Sequence, residues 1–216
     1  MNEVAGAHCI YVLAGANGAG KSSVAGEMLL EEAAPYFNPD EAARRIQSAN
    51  PDITQEQANS AAWQQGVRLL KRAFAEQGSF ALETTLGGRT ITALLESGSS
   101  SGVAVRVWFV GLNNPELHIL RVRLRVAQGG HDIPEETIRA RYDQSRLNLI
   151  RLLPRLTELR VYDNSEEADP DAGLTPEPKL ILHLAHGKII LSCDLGDTPE
   201  WAKPILVAAL KFSNRT

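Results

Sequence analysis

Ala14-Gly15-Ala16-Asn17-Gly18-Ala19-Gly20-Lys21-Ser22-Ser23 is the stretch whose reading decides the fold. It fits the phosphate-loop pattern G-x-x-x-x-G-K-[ST] at every defined position. Its glycines let the backbone curl until successive N–H groups point at one anion, and they allow an approach that a Cβ would block. Lys21 is placed to reach the outer phosphates of a nucleotide, and Ser22 offers a hydroxyl to Mg²⁺. Gly15, Asn17, Gly18, Ala19, Gly20, Lys21, Ser22 and Ser23 are thus the candidate nucleotide cradle. The flanks agree. Cys9-Ile10-Tyr11-Val12-Leu13 is a short, nearly all-apolar run suited to a strand buried on both faces, and Val24, Met28 and Leu29 recur at helical spacing afterwards. A chance glycine-rich turn is the plain alternative, but it requires neither strand nor helix. The dinucleotide pattern G-x-G-x-x-G does not fit glycines at 15, 18 and 20.

Outward from this loop the chain alternates strands with helices. Tyr36-Phe37-Asn38 has room for a minimal strand, and Pro39-Asp40-Glu41 opens a helix whose early acids suit its N-terminal dipole. Asp40 therefore falls at a strand end, where parallel-sheet enzymes bind ligands. A carboxylate there can cap the helix, or it can orient a hydroxyl and accept its proton. A long helix is expected from Thr54 to about Gln77. Ser79 to Leu82 follows as a buried strand delivering Glu83, Thr84 and Thr85 to the same edge. These three either make a turn or contact a polyhydroxyl substrate; the run of one acid and two hydroxyls favours substrate. Val103 to Leu112 is the strongest strand, yet it ends Val110-Gly111-Leu112 without the acid that often supports Mg²⁺. Asp40 or Glu83 would have to serve the metal shell, unless Ser22, phosphates and water suffice.

From Arg121 to Arg160 there are nine arginines, no lysine and five acids, a local charge of +4 that leaves −8 for the rest of a chain with net charge −4. Some of these arginines are expected on solvated helix faces. Arginine nevertheless suits bidentate phosphate contact, so two or three should face a nucleotide. Arg121 and Arg125 lie one turn apart on a helix that begins at Pro115 and breaks at Gln128-Gly129-Gly130-His131-Asp132-Ile133-Pro134. An arginine helix meeting a Gly-Gly hinge suits a lid, at about residues 121–141, and Arg139, Arg141 and Arg146 follow on the next helix. His131 alone reads as an ordinary loop histidine.

Leu159 to Ser165 reads as a last short parallel strand, followed by an acidic, proline-containing linker. A hairpin turning at His186-Gly187 and a terminal helix within Pro199 to Phe212 complete the chain. The expected fold is α/β: a phosphate-loop NTPase-type parallel sheet flanked by helices, with a helical lid and a small C-terminal β-hairpin plus helix. Residues 1–168 form the main domain and 169–216 an appendage. With 44% hydrophobic residues in 216, the chain can bury a full core. No apolar run is long enough to span a bilayer, the first thirty residues lack a signal-peptide pattern, and the negative charge gives no general nucleic-acid character. A cytoplasmic location is expected, with Cys9 and Cys193 as reduced thiols, and neither a membrane nor a nucleic acid as partner.

Taken together, LAGANGAGKSS, FNPDEAAR, FALETTL, VWFVGL, RVAQGGHDIPEETIRARY and VYDNS resemble, in order and spacing, the zeta-toxin-like family of phosphate-loop kinases, in its compact bacterial branch. The resemblance spans roughly residues 9–165. It implies ATP and Mg²⁺ as cofactors and phosphorylation of a hydroxyl of a small-molecule acceptor, as zeta toxins phosphorylate UDP-N-acetylglucosamine. It further implies that Lys21 and Ser22 serve phosphates and metal, that Asp40 is the base, and that Glu83 and Thr85 bind the acceptor. Thr84 and Arg141 are grouped with them as substrate contacts. Where the family carries an arginine just before x-x-Pro, this chain has His131, so Arg121 or Arg125 would supply the lid charge, with Arg141. The resemblance also leaves room for an antitoxin-like protein partner. The alternative from a different class is a nucleotide-dependent regulatory ATPase, a switch acting through a protein partner; acceptor dependence of ATP turnover separates the two.

Overall fold

A computed structural model describes residues 8–31, 34–166 and 177–214, with residues 27–31 described by backbone alone. The side chains of Met28 and Leu29, and the linker over 167–176, lie outside the described residues. The strands are β1 (Cys9–Ala14), β2 (Tyr36–Phe37), β3 (Phe80–Thr84), β4 (Ala104–Gly111), β5 (Glu158–Asp163), β6 (Lys179–Ala185) and β7 (Lys188–Ser192). Between and after them run α1 (Ser22–Glu31), α2 (Pro39–Ala49), α3 (Gln55–Ala75), α4 (Arg89–Ser99), α5 (Pro115–Ala127), α6 (Glu135–Leu152) and α7 (Lys203–Ser213). The sheet order is β2-β3-β1-β4-β5-β6-β7, parallel as far as β5 and antiparallel beyond it.

Every residue of β1 is buried, as its unbroken apolar run requires of a central parallel strand. One sheet face packs Ile10, Val12, Val107 and Phe109 against Leu70, Leu95, Leu149 and Leu206 from the covering helices. The other packs Tyr11, Leu13 and Trp108 against Val24 of α1. Helices α2 and α3 add a small alanine-rich cluster of Ala43, Ala58 and Ala62 with Ile46 and Ile53 alongside. Their starts are fixed by side chains: Asn38 accepts from the N–H groups of Asp40 and Glu41, and Thr54 and Gln57 close a reciprocal capping box.

The structure adds detail to three expectations. Glu83 and Thr84 are paired inside β3, opposite Leu13 and Ala14 of β1, rather than following it. The two-residue β2 is an edge strand. The hairpin turns where expected, with His186 and Gly187 both at positive φ (49° and 76°), the conformation of a tight two-residue turn. It continues the main sheet, because β6 pairs along β5 from Asp163↔Lys179 to Glu158↔Ala185. The segment ahead of α7 is anchored by Trp201, whose Nε1 donates to Asp163 at 2.9 Å and whose ring lies where a Cβ on Gly111 would stand.

Candidate active site

The loop from Gly15 to Gly20 sits at the carboxyl edge of β1, and its three glycines all have positive φ, at 147°, 79° and 79°. Each is also sterically required. A Cβ would come within 2.3 Å of the Val110 carbonyl oxygen at Gly15, 2.6 Å of the His118 carbonyl oxygen at Gly18 and 2.2 Å of Asn164 Nδ2 at Gly20. The loop's carbonyls are drawn inward by three different donors. Lys21 Nζ donates to Gly15 O at 3.0 Å, His118 Nδ1 to Asn17 O at 2.8 Å, and Asn164 Nδ2 to Ala19 O at 2.9 Å. The Gly18 and Gly20 N–H groups donate to no acceptor among the described residues. With alternate carbonyls committed to the protein, these N–H groups are the feature expected of an anion nest. Ser22 and Ser23 stand exposed at the start of α1, whose positive dipole end faces the same place.

His118 had no signal in the sequence, being a single histidine inside an arginine-rich helix. It is buried, and burial pushes its pKa from the ordinary 6.5 down to about 4, with the charges of Lys21 and Arg121 adding to the effect against the hydrogen bond to Asn17. It is therefore the neutral tautomer carrying its proton on Nδ1, since the carbonyl it meets can only accept. Asn164 lay within VYDNS, but nothing in that string indicated that its amide holds the loop.

Lys21 is also 3.4 Å from Glu83 Oε1, at the end of β3. The other oxygen of Glu83 accepts from Tyr36 Oη and from Asn38 Nδ2, each at 2.9 Å. Tyr36 and Asn38 are the second pair that sequence reasoning missed, although a strand end beside an N-cap placed them near. Thr84 and Thr85 use their hydroxyls locally, accepting from the N–H groups of Leu86 and Gly87 at 3.0 and 3.4 Å. This is the turn that the sequence offered as their alternative role.

Asp40 follows immediately on this network in α2, with its carboxylate 58% exposed and 3.7 Å from Arg125 Nη1. Arg125 also donates to the carbonyl of His131, at 3.0 Å. Arg141 Nη1 donates to Asn17 Oδ1 at 2.7 Å, its stem packed where a Cβ on Gly87 would lie, and burial lowers its pKa while the Asp40 charge acts the other way. Arg121 approaches to 3.7 Å of the Cβ position of Gly20 and donates to the Glu166 carbonyl. Arg121, Arg125 and Arg141 are thus the arginines gathered around the loop and Asp40. Arg139 instead pairs with Glu116, and Arg146 with Asp143 and the Tyr142 ring. His131 meets Asn59 of α3 through Nε2 at 3.3 Å.

A parallel α/β sheet with a phosphate loop after its first strand, an acid at the next strand end and arginines converging from α5 and α6 defines a kinase-type nucleotide-binding protein. Residues 5–169 match the family model of the zeta toxin, and the chain belongs to that family. A protein of Haemophilus influenzae recorded as uncharacterized is 29% identical over 129 residues, spanning 59% of this chain and 88% of its own. Among solved structures, the AvrRxo1-ORF1:-ORF2 complex with ATP superposes with a TM-score of 0.65 at 13% identity, over 95% of this chain and 64% of that one. The PezAT chromosomal toxin–antitoxin system of Streptococcus pneumoniae superposes with a TM-score of 0.58 at 13% identity, over 99% and 88%. The chain thus spans just under two thirds of the AvrRxo1 chain, and at these identities the likeness is one of fold. Among the described residues no helix is long and apolar enough to cross a membrane, and no three His, Cys, Asp or Glu side chains cluster to hold a metal.

Proposed function

We propose that the protein transfers the terminal phosphoryl group of ATP to a hydroxyl of a small molecule, with a nucleotide sugar such as UDP-N-acetylglucosamine as the first acceptor to test. The observation that carries the reading is the placement of Asp40. It is an accessible carboxylate held by Arg125, one hydrogen-bonded residue away from the Glu83–Lys21 pair at the phosphate loop. Phosphoryl transfer asks the protein mainly for positioning and charge neutralisation. Gly15 to Lys21 would hold the phosphates, Ser22 would hold Mg²⁺, and that ion would supply neutralising charge between phosphate oxygens. The fit is good for the phosphates, because the loop presents unpaired N–H groups and a buried ammonium. For the metal the chain itself offers chiefly the Ser22 hydroxyl, with phosphate and water oxygens completing the shell.

Within this reading Asp40 accepts the proton of the acceptor hydroxyl as that oxygen bonds to phosphorus and the bond from phosphorus to the departing ADP oxygen breaks. Arg121, Arg125 and Arg141 neutralise charge on the transferring group, and Glu83 and Thr85 orient the acceptor. An antitoxin-like partner is proposed by analogy with the PezAT toxin–antitoxin system. Phosphorus NMR of ATP incubated with UDP-N-acetylglucosamine, other nucleotide sugars and free sugars tests the function. A new phosphate ester supports it. ATP hydrolysis at a rate indifferent to every acceptor favours a regulatory ATPase.

A further inference from the structure

Glu83 occupies an awkward position for a phosphate loop: a carboxylate within 3.4 Å of the lysine that must meet the nucleotide. Left free to rotate, it would present both oxygens to Lys21 and compete with phosphate for the ammonium. It is not free. Its Oε2 is saturated by the Tyr36 hydroxyl and the Asn38 amide, both at 2.9 Å, leaving only Oε1 toward the lysine at a distance longer than a good ion-pair hydrogen bond. The Asn38 amide is itself immobilised, because its Oδ1 caps α2 through the N–H groups of Asp40 (2.9 Å) and Glu41 (3.1 Å).

We infer that Tyr36 and Asn38 are positioning residues that restrain Glu83 and so keep Lys21 available to nucleotide phosphate. Burial and the neighbouring Glu83 charge both raise the Tyr36 pKa, so its hydroxyl remains a donor throughout the working pH range. The two donors come from the β2–α2 junction, while Glu83 comes from β3. The register of this edge strand, with Tyr36 opposite Ala81 and Phe37 opposite Leu82, sets their reach. The inference rests on the phosphate-loop reading of Lys21 and is independent of which acceptor is used.

The test is calorimetry of a non-hydrolysable ATP analogue with Mg²⁺ on wild type, Y36F/N38S, E83Q and Y36F/N38S/E83Q. Serine is as good an N-cap as asparagine, so N38S retains the helix start and removes only the donor to Glu83. Releasing a carboxylate from two hydrogen bonds to face an ammonium should weaken analogue binding ~10-fold in Y36F/N38S. Adding E83Q, which has no charge with which to capture Lys21, should restore affinity to about that of E83Q alone, as a double-mutant cycle requires of coupled residues. A merely structural defect would not be rescued. Unchanged affinity in Y36F/N38S, or a loss that E83Q leaves in place, overturns the inference. Failure of wild type itself to bind the analogue overturns the phosphate-loop reading and the inference with it.

Discussion

Asn17 and its neighbours show how much of a phosphate loop is decided by side chains outside it. The pattern of glycines and Lys21 identifies the loop, but His118 and Asn164 hold its carbonyls inward from 101 and 145 residues away. Neither residue carries a local signature, since the information lies in the packing of α5 and the end of β5 against the loop. The neutral state of His118 has a consequence for stability. Its pKa is about 4 folded and about 6.5 unfolded, so the unfolded chain binds more protons between those values. Its contribution is therefore complete above pH 6.5, falls as pH drops through that window and levels off below pH 4. The slope is on the order of 1.4 kcal/mol per pH unit within the window. Urea unfolding of wild type and His118→Gln at pH 7 and pH 5 measures it. Wild type should lose about 1–2 kcal/mol more than the variant, whose amide can still donate but does not titrate. Equal losses would mean that His118 is not buried neutral.

At the scale of elements, the strands and most helix starts were legible because apolar runs, Pro-Asp and Asn-Pro openings and Gly stops are local signals. The arginine helices were legible as a pair but not in their division of labour. Arg121, Arg125 and Arg141 converge on the site while Arg139, Arg146 and Arg151 pair with surface or neighbouring acids. Charge counting over 121–160 carries no azimuth around either helix, so the sequence could not separate them. Between α5 and α6 the chain turns at Gly129, with φ of 87°, and at Gly130, which packs on the Arg125 stem. Its contacts with α2 and α3 are polar, Arg125 to Asp40 and His131 to Asn59, while Ile133 packs with Ile119, Val122 and Ile138 of α5 and α6 themselves. Such a segment should open locally at little cost and tighten when phosphates engage its arginines. Amide exchange over residues 121–141 should slow on adding an ATP analogue with Mg²⁺. Identical exchange with and without nucleotide would leave these arginines as a solvated helix face.

Across the whole molecule, the C-terminal elements contribute to the same sheet that carries the site. Trp201 is 2% exposed, 6.2 Å from the Phe109 ring, and hydrogen-bonded to Asp163 at the end of β5, next to Asn164. Its Gly111 partner had no visible reason in the sequence, because the ring that demands it lies ninety residues later. Trp201→Ala should destabilise the fold by about 3–5 kcal/mol in denaturant unfolding, as loss of a buried aromatic does. A change within ~0.5 kcal/mol, typical of surface sites, would show that the segment does not support the sheet. The proposed function gives Asp40 the role of base in phosphoryl transfer. It is tested most directly by measuring transfer from ATP to the acceptor by wild type and Asp40→Asn, alongside ATP-analogue affinity for each. The variant should bind the analogue as wild type does and transfer phosphate slower by about two or more orders of magnitude, the contribution of a positioned general base. Transfer by Asp40→Asn at the wild-type rate would contradict the account.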